Sequence, residues 1–262
     1  MKAFLIDVAK CNGCHNCQIS CKDEHCGTAW APYAAEQPMT GQFWCKVDEK
    51  VRGSVPVVRV SYTPLVCGHC DDAPCMAAAK DGAVYRRDDG LVIIDPARAK
   101  GQRAIMEACP MGAVYWNDDL DLPQKCTGCA HLLDDGWSEP RCVDACPTGA
   151  LAFGEEDELD LAGAELLEPV AGLGAHAWYK NLPKRFVAGC VVDFEAREVC
   201  VGTEVALLDE AGAEAARMTT DDFGDFMFDQ VEPAAYTVRI AGKDLAADAR
   251  EKDVNLGDIA CA

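Results

Sequence analysis

The hydrophobic residues of this chain fall into short runs that predict small strands and few helices. Lys2–Val8 predicts a strand, and Val55–Val60 is rich in β-branched residues, which favour strands. Ala83–Arg86 and Gly90–Ile94 are apolar runs joined by an Asp-Asp-Gly turn, which predicts a β-hairpin. Cys17–His25 predicts a short helix.

From residue 186 onward the apolar runs recur at a regular spacing, separated by turns rich in Asp and Gly. Regularly spaced short strands of this kind predict a small β-sandwich. The stretch Thr220–Phe228, followed by Tyr236–Val238, resembles prealbumin-like (Ig-like) and carboxypeptidase-regulatory-like modules, which usually stabilise or dock. The predicted strands are Val187–Phe194, Glu204–Leu208, Asp225–Phe228 and Tyr236–Ile240.

The composition indicates a folded protein, and the net charge argues against one class of partner. Half of the 262 residues are apolar, which allows two domains with buried cores. The formal charge of −20 argues against nucleic acid, whose phosphates would repel the protein. No apolar stretch reaches the ~18 residues of a membrane span, and the amino-terminal residues lack a signal-peptide pattern. We therefore expect a cytoplasmic protein, with export on a signal-bearing partner left open.

Most of the 17 cysteines stand in runs with a chemically meaningful spacing. The first run has the spacing C-x2-C-x2-C-x3-C, and proline follows two later cysteines. This spacing is typical of 4Fe–4S ligands in bacterial-type ferredoxins, because three closely spaced cysteines can wrap three corners of a cube. The runs are Cys11, Cys14, Cys17 and Cys21; Cys67, Cys70 and Cys75; Cys109; and Cys126, Cys129, Cys142 and Cys146.

In two-cluster ferredoxins the last cysteine of such a run binds the other cluster. Applied here, this crossing rule predicts three 4Fe–4S clusters. We name their ligand sets the first set (Cys11, Cys14, Cys17, Cys146), the second set (Cys21, Cys126, Cys129, Cys142) and the third set (Cys67, Cys70, Cys75, Cys109). Such clusters carry single electrons, so no catalytic residue is predicted on this chain.

A fourth ligand set is absent as a whole. The positions that the pattern reserves for it hold Ala79, Ala99, Gln102 and Ile105. Scattered loss of cysteines would rarely remove one complete set and leave three others complete. We therefore expect ordinary packing in place of a fourth cluster.

Other uses of the cysteines fit the pattern less well. Zinc could use Cys126 and Cys129 as half of a ribbon site, but it leaves the first run unexplained. A disulfide framework is typical of small secreted chains. The remaining cysteines are expected to be buried as small apolar residues: Cys26, Cys45, Cys190, Cys200 and Cys261. The histidines near the loops are expected in supporting or surface roles: His15, His25, His69 and His131.

These patterns together predict an α+β fold. A ferredoxin-like domain over residues 1–153 carries the clusters, residues 154–185 form a connector, and residues 186–262 form the β-sandwich. The unit Cys-Pro-x-Gly-Ala occurs at both Cys109–Ala113 and Cys146–Ala150, which indicates that the first domain is duplicated.

The order of the cysteine runs resembles the iron–sulfur subunits of the dimethyl-sulfoxide-reductase family of molybdenum enzymes. Within that family, four stretches are similar to the small subunits of pyrogallol–phloroglucinol transhydroxylases, with catechol dehydroxylases nearby. These stretches are Ile6–Cys11, Asp89–Pro96, Gln124–Asp135 and Trp178–Leu182.

The resemblance implies a large partner subunit that holds molybdenum on two pyranopterin guanine dinucleotides and binds a polyphenol. This chain would then pass electrons between an external donor and the molybdenum. Reductive dehydroxylation of a catechol is the favoured activity of the complex, because three complete sets suit a continuous electron supply. Hydroxyl transfer between rings, reduction of an N-oxide, S-oxide or inorganic substrate, and a purely structural scaffold are the alternatives.

Overall fold

The computed structural model describes residues 1–261. They form two compact units, each with a hydrophobic core of its own. The first unit comprises Met1–Glu49 and Tyr62–Leu182, and the second comprises Lys50–Ser61 and the residues from Pro183 onward. No helix of the described residues is long and apolar enough to cross a membrane.

The first unit is built from short elements of both kinds, as the mixed pattern predicts. Two of them, β2 and β3, extend into the second unit. In chain order the elements are β1 (Lys2–Asp7), a 3-10 turn (Val8–Lys10), α1 (Asn16–His25), β2 (Lys46–Ser54), β3 (Val57–Leu65), α2 (Pro74–Ala77), β4 (Val84–Arg86), β5 (Val92–Ile94), α3 (Arg103–Glu107), β6 (Val114–Asn117), β7 (Leu122–Lys125), α4 (Ala130–Asp134), α5 (Arg141–Asp144), β8 (Leu151–Glu155), a second 3-10 turn (Glu156–Glu158), β9 (Glu165–Leu166), α6 (Glu168–Ala171) and β10 (Ala177–Lys180).

A four-stranded sheet in the order β8-β1-β10-β9 forms the base of the first unit. Strand β1 pairs antiparallel with β8 and parallel with β10, with Ile6 opposite Tyr179. Phe4, Ile6 and Tyr179 are almost fully buried in the core of this unit. The segment expected as a connector, residues 154–185, thus supplies strands to the first unit, which extends to Leu182.

Several locally encoded elements are confirmed. The predicted helix is present as α1, and the predicted hairpin is present as β4 and β5, with Val84 opposite Ile94. The predicted strand over Val55–Val60 is wrong at its start. Val55 and Pro56 form the turn between β2 and β3, where a proline is tolerated because no ladder hydrogen bond is needed there.

The second unit consists of strands in two four-stranded sheets. Its strands are β11 (Arg185–Asp193), β12 (Glu198–Val199), β13 (Glu204–Leu208), β14 (Glu214–Thr219), β15 (Asp225–Val231), β16 (Ala235–Ile240), β17 (Lys243–Asp248) and β18 (Val254–Ala260). One sheet has the order β12-β11-β15, with β18 parallel to β11. The other has the order β14-β13-β16-β17, and the inward side chains of both sheets share one core.

All four strands predicted in this half are present, but others were missed. Strand β14 has the sequence EAARMT and lies at a sheet edge with mostly exposed side chains. Alanine and glutamate are depleted in strands, so its conformation comes from pairing with β13 and not from local preference.

Candidate iron–sulfur sites

The first cysteine loop follows directly from β1. After the 3-10 turn, Asn12 Oδ1 accepts a hydrogen bond from the Cys14 N–H at 3.2 Å and fixes the loop. Gly13 has φ +71, and a side chain there would meet the Tyr62 ring at 2.5 Å. The loop passes into α1, which carries Cys17 and Cys21 one turn apart.

The structure brings the four thiols of the first set together. Burial raises the pKa of Cys11, and the negative charges of Cys17, Cys14 and Cys146 raise it further. Burial also acts to raise the pKa of Cys146, but nearby backbone N–H groups and the Thr148 hydroxyl outweigh it and lower that pKa. Donors that stabilise a thiolate in this way suit a cluster ligand.

The second set is the most deeply buried. Burial raises the pKa of Cys21, followed by the charges of Cys142, Cys126 and Cys129, so these thiols are mutual neighbours. Burial likewise raises the pKa of Cys126 to about 12. His25 Nε2 lies 3.9 Å from Cys129 Sγ, and burial lowers the pKa of His25 to about 3, so a neutral imidazole faces this thiol.

The third set surrounds a cavity. Cys67, Cys70, Cys75 and Cys109 all line it. Burial raises the pKa of Cys70 to about 11, and the charges of Cys67, Cys75 and Cys109 act in the same direction.

Ordinary packing fills the place of the absent fourth set. Ala99 and Ile105 are completely buried in a small core, with Ala79 packed against it. The Gln102 side chain accepts a hydrogen bond from the Lys80 N–H at 2.8 Å and donates one to the Arg98 carbonyl at 2.8 Å. The four positions therefore hold apolar packing and a hydrogen-bonded amide in place of thiols.

The arrangement of the thiols fits a cofactor larger than one ion. A single zinc holds its sulfur ligands about 2.3 Å from one point. Among the described residues, no group of three or more His, Cys, Asp or Glu side chains converges to hold a single metal ion. The thiols of each set nevertheless influence one another's pKa, and those of the third set line a cavity, which fits ligands spread over the corners of a 4Fe–4S cube.

Cys45 links the first and second sets, which the sequence analysis did not predict. It is buried, as expected, but hydrogen bonds with Cys142 and Cys17 raise its pKa, so it lies between a thiol of each set. The charge of Cys67 raises the pKa of Cys126, which makes the third set a neighbour of the second. The second set is therefore a neighbour of each of the other two.

Two cysteines outside the sets and one lysine differ from expectation, and one histidine agrees with it. Cys200 and Cys261 are hydrogen-bonded to each other and only partly buried, so neither is isolated. His131 Nε2 lies 3.1 Å from Glu24 Oε1, a supporting role of the expected kind. Lys125 is buried beside the third set, although lysine is usually exposed. Its position immediately before Cys126 was the only available signal.

The sequence matches agree with this geometry. Residues 58–156 match the 4Fe-4S dicluster domain family. The sequence is 39% identical over 250 residues to the pyrogallol hydroxytransferase small subunit of Pelobacter acidigallici, covering 90% of this chain and 89% of that one. It is 33% identical over 156 residues to a chain of the anaerobic dimethyl sulfoxide reductase of Escherichia coli, covering 60% and 74%.

A third relative is a putative dimethyl sulfoxide reductase iron-sulfur subunit of Halobacterium salinarum, 34% identical over 187 residues, covering 60% of this chain and 67% of that one. The class is thus that of iron–sulfur proteins that transport electrons. More narrowly, this protein belongs to the family of iron–sulfur subunits of molybdopterin oxidoreductases.

Proposed function

We propose that this chain holds three 4Fe–4S clusters and conducts electrons between an external donor and a molybdenum centre on a large partner subunit. The observation that carries the proposal is the grouping of twelve thiols into three sets, with the second set a neighbour of each of the others. Clusters held in such an order form a path for single electrons. The partner's molybdenum, on two pyranopterin guanine dinucleotides, would supply the substrate chemistry.

Cluster content can be measured directly on the complex purified without oxygen. We expect iron and acid-labile sulfide in equal amounts, four of each per set, and three reducible signals in electron paramagnetic resonance. Zinc or disulfide bonds in place of iron would contradict the proposal. Clusters that never change oxidation state during turnover would instead support a structural scaffold.

We propose further that the partner subunit acts on a polyphenol, since a relative covering nearly the whole chain is a pyrogallol hydroxytransferase small subunit. That relative favours hydroxyl transfer between aromatic rings. The three complete thiol sets favour reductive removal of a hydroxyl from a catechol, which consumes electrons continuously.

The two activities differ in their electron demand. The purified complex should be supplied with a reduced dye and either a catechol or pyrogallol. Dehydroxylation oxidises the dye with a stoichiometry of two electrons per hydroxyl removed, whereas transfer leaves the dye reduced. Turnover of sulfoxides or inorganic oxides, but of no polyphenol, would contradict both and favour a different molybdenum reductase.

The second unit is proposed to be a prealbumin-like sandwich that docks on the large subunit. Its two sheets share one core, and it contains no thiol of the three sets. Assembly in a reducing cytoplasm is proposed because the thiols must stay reduced until iron is loaded. Export of the loaded complex on a signal-bearing partner is the alternative.

A further inference from the structure

Lys125 is a cation inside the first unit. Its side chain is only 2% exposed, at the end of β7 and immediately before Cys126. The ammonium donates hydrogen bonds to the Val92 carbonyl and, at 3.0 Å, to the Cys126 carbonyl. These two bonds hold the charge at a fixed position.

The charge has no carboxylate partner. Within residues 1–261, no Asp or Glu oxygen forms an ion pair with Lys125, although most other arginines and lysines of this chain that are largely buried do have one, such as Arg52 with Asp253 at 3.0 Å. Burying an ammonium without an anion is strongly unfavourable. Two neutral carbonyls replace part of its hydration but none of its countercharge.

The groups near Lys125 that become anionic as cluster ligands are thiols of two different sets. It lines the same cavity as all four cysteines of the third set. Burial raises the pKa values of Cys75 and Cys126, and the positive charge of Lys125 opposes that rise at both. Cys75 belongs to the third set and Cys126 to the second, so the ammonium lies near both.

We propose that the Lys125 ammonium is a shared counter-ion of the second and third iron–sulfur clusters and raises the reduction potential of both. A cluster gains one negative charge when it is reduced, so a fixed cation nearby stabilises the reduced form. Lys125 is not among the charges that shift the pKa values of Cys11, Cys17 or Cys146, so the first cluster is affected least. This inference rests on the proposed function, because it requires that the sets hold clusters.

The test is a redox titration of the intact complex, followed by electron paramagnetic resonance. In Lys125→Met the reduced-to-oxidised ratio of the second and third clusters at a fixed potential should fall about tenfold, equivalent to about 59 mV for one electron. The first cluster should keep its ratio. Lys125→Arg keeps the charge and should restore the ratios, and Lys100→Met, at an exposed site, should change none.

Each other outcome is decisive. If Lys125→Met retains its iron and all three potentials are unchanged or shift equally, the inference is wrong while the proposed function stands. If neutral variants (Met and Gln) lose iron but Lys125→Arg retains it, a positive charge is required, as proposed. If Lys125→Arg loses iron as well, the lysine has a purely steric role and the inference fails. Absence of iron from the unmodified complex would contradict the proposed function itself.

Discussion

At the scale of single residues, the surroundings of each thiol decide how readily it becomes the thiolate that iron binds. Burial raises the pKa of Cys126 to about 12, whereas hydrogen-bond donors around Cys146 lower its pKa. Binding of a cluster must therefore expel protons from the buried second set, and the bonds between iron and the thiolates would supply the free energy that makes this possible.

Cys75→Ala tests the assignment of the third set. Cys75 lines the cavity with the other three thiols of that set, and no thiol of the first set influences its pKa. We expect one cluster to be lost and the other two to remain, measured as iron content and as resonance signals. An equal loss of iron from all three clusters would contradict the assignment.

Gly128→Ala tests the packing of the loop between Cys126 and Cys129. Gly128 has φ +62, and an added side chain would lie 2.8 Å from Leu91, which is almost fully buried. Gly163 also has a positive φ, +71, with nothing within 4 Å, so Gly163→Ala is the matched control. In both variants the free energy of unfolding should fall by about 1–2 kcal/mol, because alanine is strained at a positive φ. Gly128→Ala should in addition lose iron from the second set. If the two variants had equal urea midpoints and equal iron contents, the Leu91 side chain would have moved to make room for the added methyl group.

At the scale of elements, local sequence patterns were enough to predict a strand or helix whose conformation depends mainly on its own residues. Strand β1, helix α1 and the β4–β5 hairpin could be predicted in this way. The parallel pairing of β1 with β10 could not, because nothing in either stretch specifies a partner so distant in the chain.

In the candidate sites, too, features set by local sequence could be predicted and features set by tertiary packing could not. The spacing of the cysteines predicts the three sets, and within each set the structure shows thiols that influence one another's pKa. The position of Cys45 between two sets and the burial of Lys125 could not be predicted, since both depend on tertiary packing around the loops. A lysine in a sequence is expected at the surface.

Tyr179→Ala tests whether β10 is an integral part of the first unit. Tyr179 is 1% exposed and packs in the same core as Phe4 and Ile6. Removing the ring should lower the free energy of unfolding by about 3–5 kcal/mol, seen as loss of cluster absorbance at lower urea. Tyr179→Phe keeps the ring and should stay near the unmodified protein. A midpoint unchanged in Tyr179→Ala would show that β10 is dispensable.

At the scale of the whole molecule, the candidate cluster ligands are confined to one of the two units. All twelve thiols of the three sets lie in the first unit. The tip of the β2–β3 hairpin belongs to the second, where Arg52 pairs with Asp253 at 3.0 Å. A truncation must therefore remove both segments of the second unit to avoid leaving a buried group unpaired.

The corresponding variant lacks residues 183–262 and has a short turn in place of residues 50–61. We expect its cluster spectra to match those of the full chain, with weaker association with the large subunit in gel filtration. If the truncated protein holds no iron, the second unit is needed for folding and the division between the units is not functional.

The pairing of β1 with β10 also sets an order of events on the ribosome. Strand β1 leads into the first cysteine loop, yet its neighbour β10 is synthesised only after Ala177. At ~5–20 residues per second, the intervening stretch takes about 10 to 30 s to translate. Throughout that interval the earliest thiols lack their closing strand, and for most of it they also lack Cys146. The first set therefore cannot close around iron until Cys146 has been synthesised, and oxygen that reaches the nascent chain has earlier access to these thiols.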